Sequence, residues 1–337
     1  IRKYTAPAAE VINEVTKEKL YYSIRDNIES TNEFFEIKHA SGFRNADYYA
    51  SRQWTQEELD AHIRQYRRAY VFNEIRQVVD NIVGTENQTR MDSKVLPREQ
   101  GDEVAAETLT AIVKWCEQVN DLETIATEVF KDGIINGYGA TVTRWTNEDV
   151  VHGYPKIEKI PFGELRWDIN SKDVNLKDAR WMARLFKVNR LEALEMMPWA
   201  NEKLRKTYWS TGWARTDFHT SPNYKQRFVS DGSFEYSHDL IDLIEYYEKV
   251  KVYKFVIFDG IRDAYEEFDD ETEAEAYFNE LSDNYGKSGV VTVTEDGEEL
   301  LLFITQSKDL ITQTIMLDQE VILHEDTALP DFPWTVF

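Results

Sequence analysis

The chain has 337 residues, 42% of them hydrophobic and 13% aromatic, which is enough apolar side chain for packed cores and argues against disorder. Its 62 acidic residues outweigh 39 basic ones, and the net charge of −23 excludes ordinary duplex binding by neutralisation of phosphates. A single cysteine, Cys116, excludes an intrachain disulfide, and no apolar run is long enough to span a bilayer.

Helical spacing of Ile12, Val15, Leu20, Ile24 and Ile28 predicts a first helix within Ala9–Ser30. The rest of the first 50 or so residues gives no clear assignment. Thr55 and Glu58 have the spacing of a capping box, in which hydroxyl and carboxylate satisfy free backbone N–H groups. The stripe Leu59, Ile63, Tyr66, Tyr70, Val78 and Ile82 carries that helix to a stop at Gly84. A third helix covers Glu103–Val119, with Val104, Leu109, Ile112, Cys116 and Val119 expected to face inward and the Cys116 thiol expected to be buried and inert. A fourth runs from Leu122 to Gly133. Gly137 and Gly139 then read as a structural turn with positive φ, where a Cβ is costly.

Strands are expected at Thr141–Trp145, Lys156–Ile160, Glu164–Asp168 and Trp181–Lys187. Asn189 and Glu192 start a short helix that Pro198 stops. Trp199–Ser237 reads as a long irregular insertion. The final third alternates strands around an acidic helical patch, Thr272–Leu281, with a hairpin turn at Glu295-Asp296-Gly297-Glu298. The fold class is α+β: an N-terminal helical layer packed on antiparallel strands. The parts divide as 1–138, mainly helical; 139–198, strands plus a short helix; 199–239, the insertion; and 240–337, β-rich.

No catalytic motif survives a test of its context. Gly137-Tyr138-Gly139 follows a helix and precedes a strand, the reverse of a dinucleotide loop. Gly286-Lys287-Ser288 has Leu281 where a phosphate loop needs its first glycine. Asp168, Asn170 and Asp173 begin like a calcium loop, but Lys172 occupies a ligand position, so a turn held by Asp and Asn side chains is expected. The six histidines have no compact ligand spacing, and there is no G-x-S-x-G elbow. No catalytic, cofactor or metal residue is therefore assigned. The remaining candidates are charged. Arg64, Arg67, Arg68 and Arg76 read as a basic helix face, with Asp60 one turn before Arg64. Asp259 to Asp283 holds eleven acids against Arg262 alone. Glu266, Glu267, Asp269, Asp270 and Glu271 are its densest part. Each patch is either a solvated face or a contact between subunits.

The order of parts is more telling than any motif. A helix leads through a polar Asn…Arg…Asp…Pro loop to a second helix, then to Gly133, Gly137 and Gly139 and a strand. Next come the landmarks Pro161, Phe162, Asp168, Asp173, Asp178, Ala179, Arg180 and Pro198, followed by Tyr246-Tyr247-Glu248 and a Pro-aromatic turn near the end. This series, from about Trp54 onward, resembles the portal proteins of tailed bacteriophages, especially the long-chain type of short-tailed phages. The resemblance implies the elongated, wing-like part of the portal, short of the channel-lining stem. It also implies a dodecameric homo-oligomeric ring at a capsid vertex of the virion, made in the host cytoplasm. That ring would meet the major capsid protein, the terminase large subunit and a tail adaptor, and would pass DNA without sequence specificity during packaging and ejection. No cofactor is implied, because the terminase supplies the energy, and no membrane is implied. An α+β enzyme with an unrecognised site, or another virion adaptor or interaction module, is the other reading.

Overall fold

The computed structural model describes residues 14–90, 92–98, 101–147, 152–200, 240–259, 264–268, 270–288, 301–317 and 320–337. Of the insertion expected at 199–239, Trp199 and Ala200 belong to a short 3-10 turn, Pro198–Ala200, and residues 201–239 lie outside the described residues, as does the expected hairpin at Glu295–Glu298. The elements are α1 Glu14–Ser30, α2 Asn32–Tyr49, α3 Gln56–Arg64, α4 Glu74–Thr89, α5 Glu103–Val119, α6 Leu122–Asn136, β1 Ala140–Thr146, β2 Tyr154–Ile160, β3 Leu165–Trp167, β4 Trp181–Asn189 and α7 Arg190–Met196. After them come β5 Leu240–Asp259, β6 Ala264–Phe268, α8 Glu271–Ser288, β7 Leu301–Leu317, β8 Glu320–Thr327 and β9 Trp334–Val336. The fold is α+β with N-terminal helices and antiparallel sheets.

The chain divides into two compact units. The first comprises Ile1–Tyr247, Gln313–Glu325 and Asp331–Phe337; the second comprises Glu248–Thr312 and Asp326–Pro330. In sheet order the strands run β3-β4-β5-β7-β8, with β6 paired to β5, and a separate three-stranded sheet runs β2-β1-β9. In the first unit, period-2 alternation along β4 and β5 serves both faces of the sheet. Trp181, Ala183, Leu185, Ile244 and Tyr246 join Tyr21, Ile24 and Ile28 of α1 in one core. Phe186, Val188, Ile241 and Leu243 join Ala193 and Met197 of α7 and its C-cap in another. Asn27 donates to the Tyr246 hydroxyl at 2.9 Å, so the buried tyrosine keeps a polar partner. In the second unit, Ala274, Tyr277, Phe278, Leu281 and Tyr285 recur at helical spacing along α8 and pack with Ile257, Phe268, Leu301 and Phe303.

Several expectations are corrected. The single helix expected from Thr55 to Gly84 is two helices. The capping box at its start is present, with Thr55 Oγ1 accepting from the Glu58 amide at 3.3 Å and the Thr55 amide donating to Glu58 at 2.8 Å. But α3 ends at Arg64, and Tyr66 turns the chain at φ +54°. Asn73 starts α4 afresh: its Oδ1 accepts from the Arg76 amide at 3.0 Å, and its Nδ2 donates to the Tyr49 carbonyl and to Ser51 Oγ, both at 2.8 Å. Those bonds to the end of α2 decide the break, and Gly84 lies inside α4. Helix α6 likewise passes Gly133 and ends at Asn136. The stretch without a sequence assignment forms α2. The helix α5 has the expected bounds, but Val104, Leu109, Ile112 and Val119 are exposed instead of inward, and Cys116 is half-buried.

Candidate assembly interface

Helix α6 is the centre of the helical layer, with α2, α4 and α5 packed against it. It is capped by Gly137, whose φ of +97° allows its amide to bond the Gly133 carbonyl at 3.0 Å. Gly139 has no positive φ. It is small for another reason: a Cβ there would overlap the Val129 carbonyl oxygen and lie 2.8 Å from Val129 Cγ1. Tyr138 between them is buried and meets Phe162 at 4.7 Å, Trp167 at 5.2 Å and His39 of α2 across a 3.0 Å hydrogen bond. Burial pushes its phenol pKa well up. Lys38 lies 4.6 Å from the Trp167 ring and 5.0 Å from the Tyr138 ring, and its pKa is lowered by burial. Arg166, also buried and also lowered by desolvation, reaches Asn32 at the start of α2. This aromatic and cationic cluster fixes the glycine turn against α2 and β3.

A second buried polar group lies at the Tyr-Tyr-Glu landmark. Glu245 accepts from Arg144 at 2.5 Å, from the Tyr247 hydroxyl at 3.0 Å and from Gln313 at 3.2 Å. Tyr247 meets Trp334 edge-on at 4.9 Å. The contacts join β1, β5, β7 and β9 within the first unit. At the calcium-like sequence, Asp168 accepts from the Asn170 amide and side chain, both at 2.9 Å. Asp178 accepts from Ser171, from the Lys172 amide at 2.7 Å and from the Asp173 amide at 3.1 Å. The hydroxyl and then the backbone donors hold its pKa down at about 2. Among the described residues no three His, Cys, Asp or Glu side chains group as metal ligands.

The charged candidates fall into both units. Arg64 is the last residue of α3 and donates to the Asp60 backbone carbonyl at 3.2 Å, not to its carboxylate. Arg67 and Arg68 lie in the connection after α3, so the expected basic helix face does not exist as one helix. Arg76, on α4, pairs with Asp80 at 3.5 Å. Of the acids, Glu266 and Glu267 lie on β6, and Glu267 pairs with Lys308 at 2.8 Å. Asp270 caps α8 by accepting from the Thr272 amide at 3.1 Å, and Glu271 begins the helix. Asp269 lies outside the described residues.

A groove of about 740 Å³ is lined by Asn87, Arg90, Asp92, Lys114, Asp121 and Glu123 among others. Its cations are engaged within the fold. Arg90 binds Glu86 at 2.5 Å and the Glu123 carbonyl at 2.8 Å, and Lys114 binds Asp92 at 3.1 Å. The surface of the helical layer is more telling. Tyr66 is 99% exposed and Phe72 80%, and Ile63, Tyr70, Ile75, Val78 and Ile82 are also exposed. Apolar exposure of this extent marks surfaces made to be covered. Sequence reasoning missed Arg144, Glu245 and Gly42, where a Cβ would run into the Phe162 ring, because their partners are distant in the chain. It also missed Asn73, whose bond to the Arg76 amide is local but whose bonds to Tyr49 and Ser51 are not.

The described residues form a helical layer over antiparallel sheets, with no clustered metal donors among them and much uncovered apolar surface. A family model, phage P22-like portal protein, matches residues 38–337. The chain therefore belongs to the P22-like phage portal protein family, a structural, DNA-packaging component of the phage capsid. The match begins before Trp54, where the sequence landmarks begin. No curated protein sequence matches the chain significantly. No helix among the described residues is long and apolar enough to cross a membrane.

Proposed function

We propose that this chain forms the wing region of a portal ring, the channel through which DNA enters the capsid and later leaves it. The observation that carries the reading is the uncovered apolar surface of the helical layer, together with membership of the portal family. A free monomer gains nothing from exposing Val104, Leu109 and Ile112 on one helix. A ring hides such surface at every subunit boundary. The acidic composition suits a conduit, since a wall that repels phosphate lets DNA slide. The work of translocation falls to a motor partner, the terminase large subunit. The major capsid protein and a tail adaptor are the other contacts proposed, and the role is structural, not enzymatic.

The test is the mass and image of the full natural polypeptide at micromolar concentration. Closed rings with a central hole are the expected result. Particles that remain monomers or dimers, by both light scattering and negative-stain imaging, would sink the reading.

A further inference from the structure

Helix α5 has an apolar outer side and a mixed inner side, and its orientation is fixed. Its inner side carries Ala106, Thr110 and Asn120. Thr110 accepts from the Val95 amide at 3.1 Å. Asn120 clamps β2, donating to the Pro155 carbonyl and accepting from the Ile157 amide, both at 2.9 Å. The helix cannot turn without breaking these bonds. Its outer side carries Val104, Leu109, Ile112 and Val119, each 45% exposed or more. With Trp115, also exposed, that side is a run of five large apolar side chains, and a standard interface takes roughly 800 Å² from each partner.

The connection after α3 is the opposite kind of surface. Tyr66 holds φ +54°, a conformation costly for a bulky residue, and is 99% exposed. Among the described residues nothing covers the ring that occupies this costly position. Ile63, Tyr70 and Phe72 are exposed beside it, Arg67 and Arg68 run through it, and Arg64 stands at the end of α3 just before it. Tyrosine and arginine are the side chains that most often anchor interfaces. Glu107 flanks the α5 outer side, with Glu103 one turn before it, and Lys114 on the same flank is paired with Asp92 at 3.1 Å, so that flank is acidic where the connection is basic. A cyclic ring requires two unlike faces on each copy. We propose that the α3–α4 connection of one copy docks on the outer side of α5 of the next, with Tyr66 as the anchor. The proposal rests on the ring reading above. It assigns the arginines to α5, in preference to the acidic residues Glu266–Glu271.

Cysteine cross-linking of the full natural polypeptide tests it, in a Cys116→Ser background. Tyr66→Cys and Ile112→Cys alter exposed side chains, and unchanged melting would confirm that each variant folds. Mild oxidation of assembled protein carrying both should give a ladder of linked multimers on a denaturing gel, at least ten-fold above either single variant. Rings that form without a ladder overturn the pairing and leave the ring reading intact. A linked dimer from Ile112→Cys alone shows that like faces meet, which also overturns it. So does a ladder from Arg68→Cys with Glu267→Cys in place of the first pair. A parent that forms no rings removes the ring reading and this pairing together.

Discussion

Gly137, Gly139 and Gly42 are small for two different reasons, and alanine should separate them. Gly137 has φ +97°, so Gly137→Ala should destabilise by about 1 kcal/mol through backbone strain. At Gly139 a Cβ would overlap the Val129 carbonyl, and at Gly42 it would run into the Phe162 ring. These cost overpacking instead, about 1–3 kcal/mol each, with Gly139 the worse because backbone cannot rotate away. Urea midpoints of the three variants check the order; Gly139→Ala milder than Gly137→Ala would contradict the close approach. The sequence marks a turn at Gly137, since a glycine after a helix is a local signal. It cannot mark Gly42, whose reason is a ring 120 positions away in sequence. Asp178 gives a pH prediction. Its folded pKa of about 2 lies below the unfolded value near 3.9, so its contribution to stability is complete above pH ~4 and is lost as pH falls towards 2. Asp178→Asn should flatten the stability profile across that window and leave its slope above pH 5 unchanged. An unaltered acid limb would show that the turn around Ser171 is not held this way.

Among the elements, start signals were the most legible and orientation the least. Thr55 with Glu58 marks the start of α3, and Asn189 marks that of α7 through its bond to the Leu191 amide at 3.0 Å. Both depend on residues within one turn. The end of α3 depends on Asn73 reaching back to α2, which no local pattern displays. Helix α5 shows the same limit differently. Its apolar periodicity gives its length but points the wrong side inward; the bonds of Thr110 and Asn120 decide which side faces the core. The candidate charged site was legible as composition and not as geometry, since Arg67 and Arg68 leave the helix that was to align them. The strands of the first unit are tied by Glu245, and here the asymmetry of a buried pair can be measured. Arg144→Met leaves a buried carboxylate short of its cation and should cost about 2–3 kcal/mol, a buried-pair loss reduced for the partial exposure of Arg144. Glu245→Gln keeps a hydrogen-bonding side chain and should cost less. Chemical denaturation of both variants is the check, and equal losses would mean that the charge contributes little.

For the whole molecule, assembly kinetics carry the prediction. Arg64, Arg67 and Arg68 all changed to Glu should slow ring formation of the full polypeptide most at low salt, because steering between subunits is screened beyond about 10 Å at 0.1 M. Light-scattering traces at two salt concentrations measure it; a triple variant that assembles at the parent rate in low salt would show that these arginines steer nothing. The three-stranded sheet has a consequence of another kind. Gly139 and Phe337 exchange backbone bonds of 3.1 and 2.9 Å, and Ala140–Val142 pair with Trp334–Val336. The two partners are separated by roughly 200 residues, and closing so long a loop costs about 4–5 kcal/mol of chain entropy before β1 gains its neighbour. A ribosome adding about 5–20 residues per second leaves β1 waiting some ~10–40 seconds for that neighbour. Through that interval one rim of β1 offers unpaired amides and carbonyls to any other nascent chain. Among the described strands the pairing of β1 with β9 is therefore the one most exposed to error during synthesis, and mispaired aggregates would begin there.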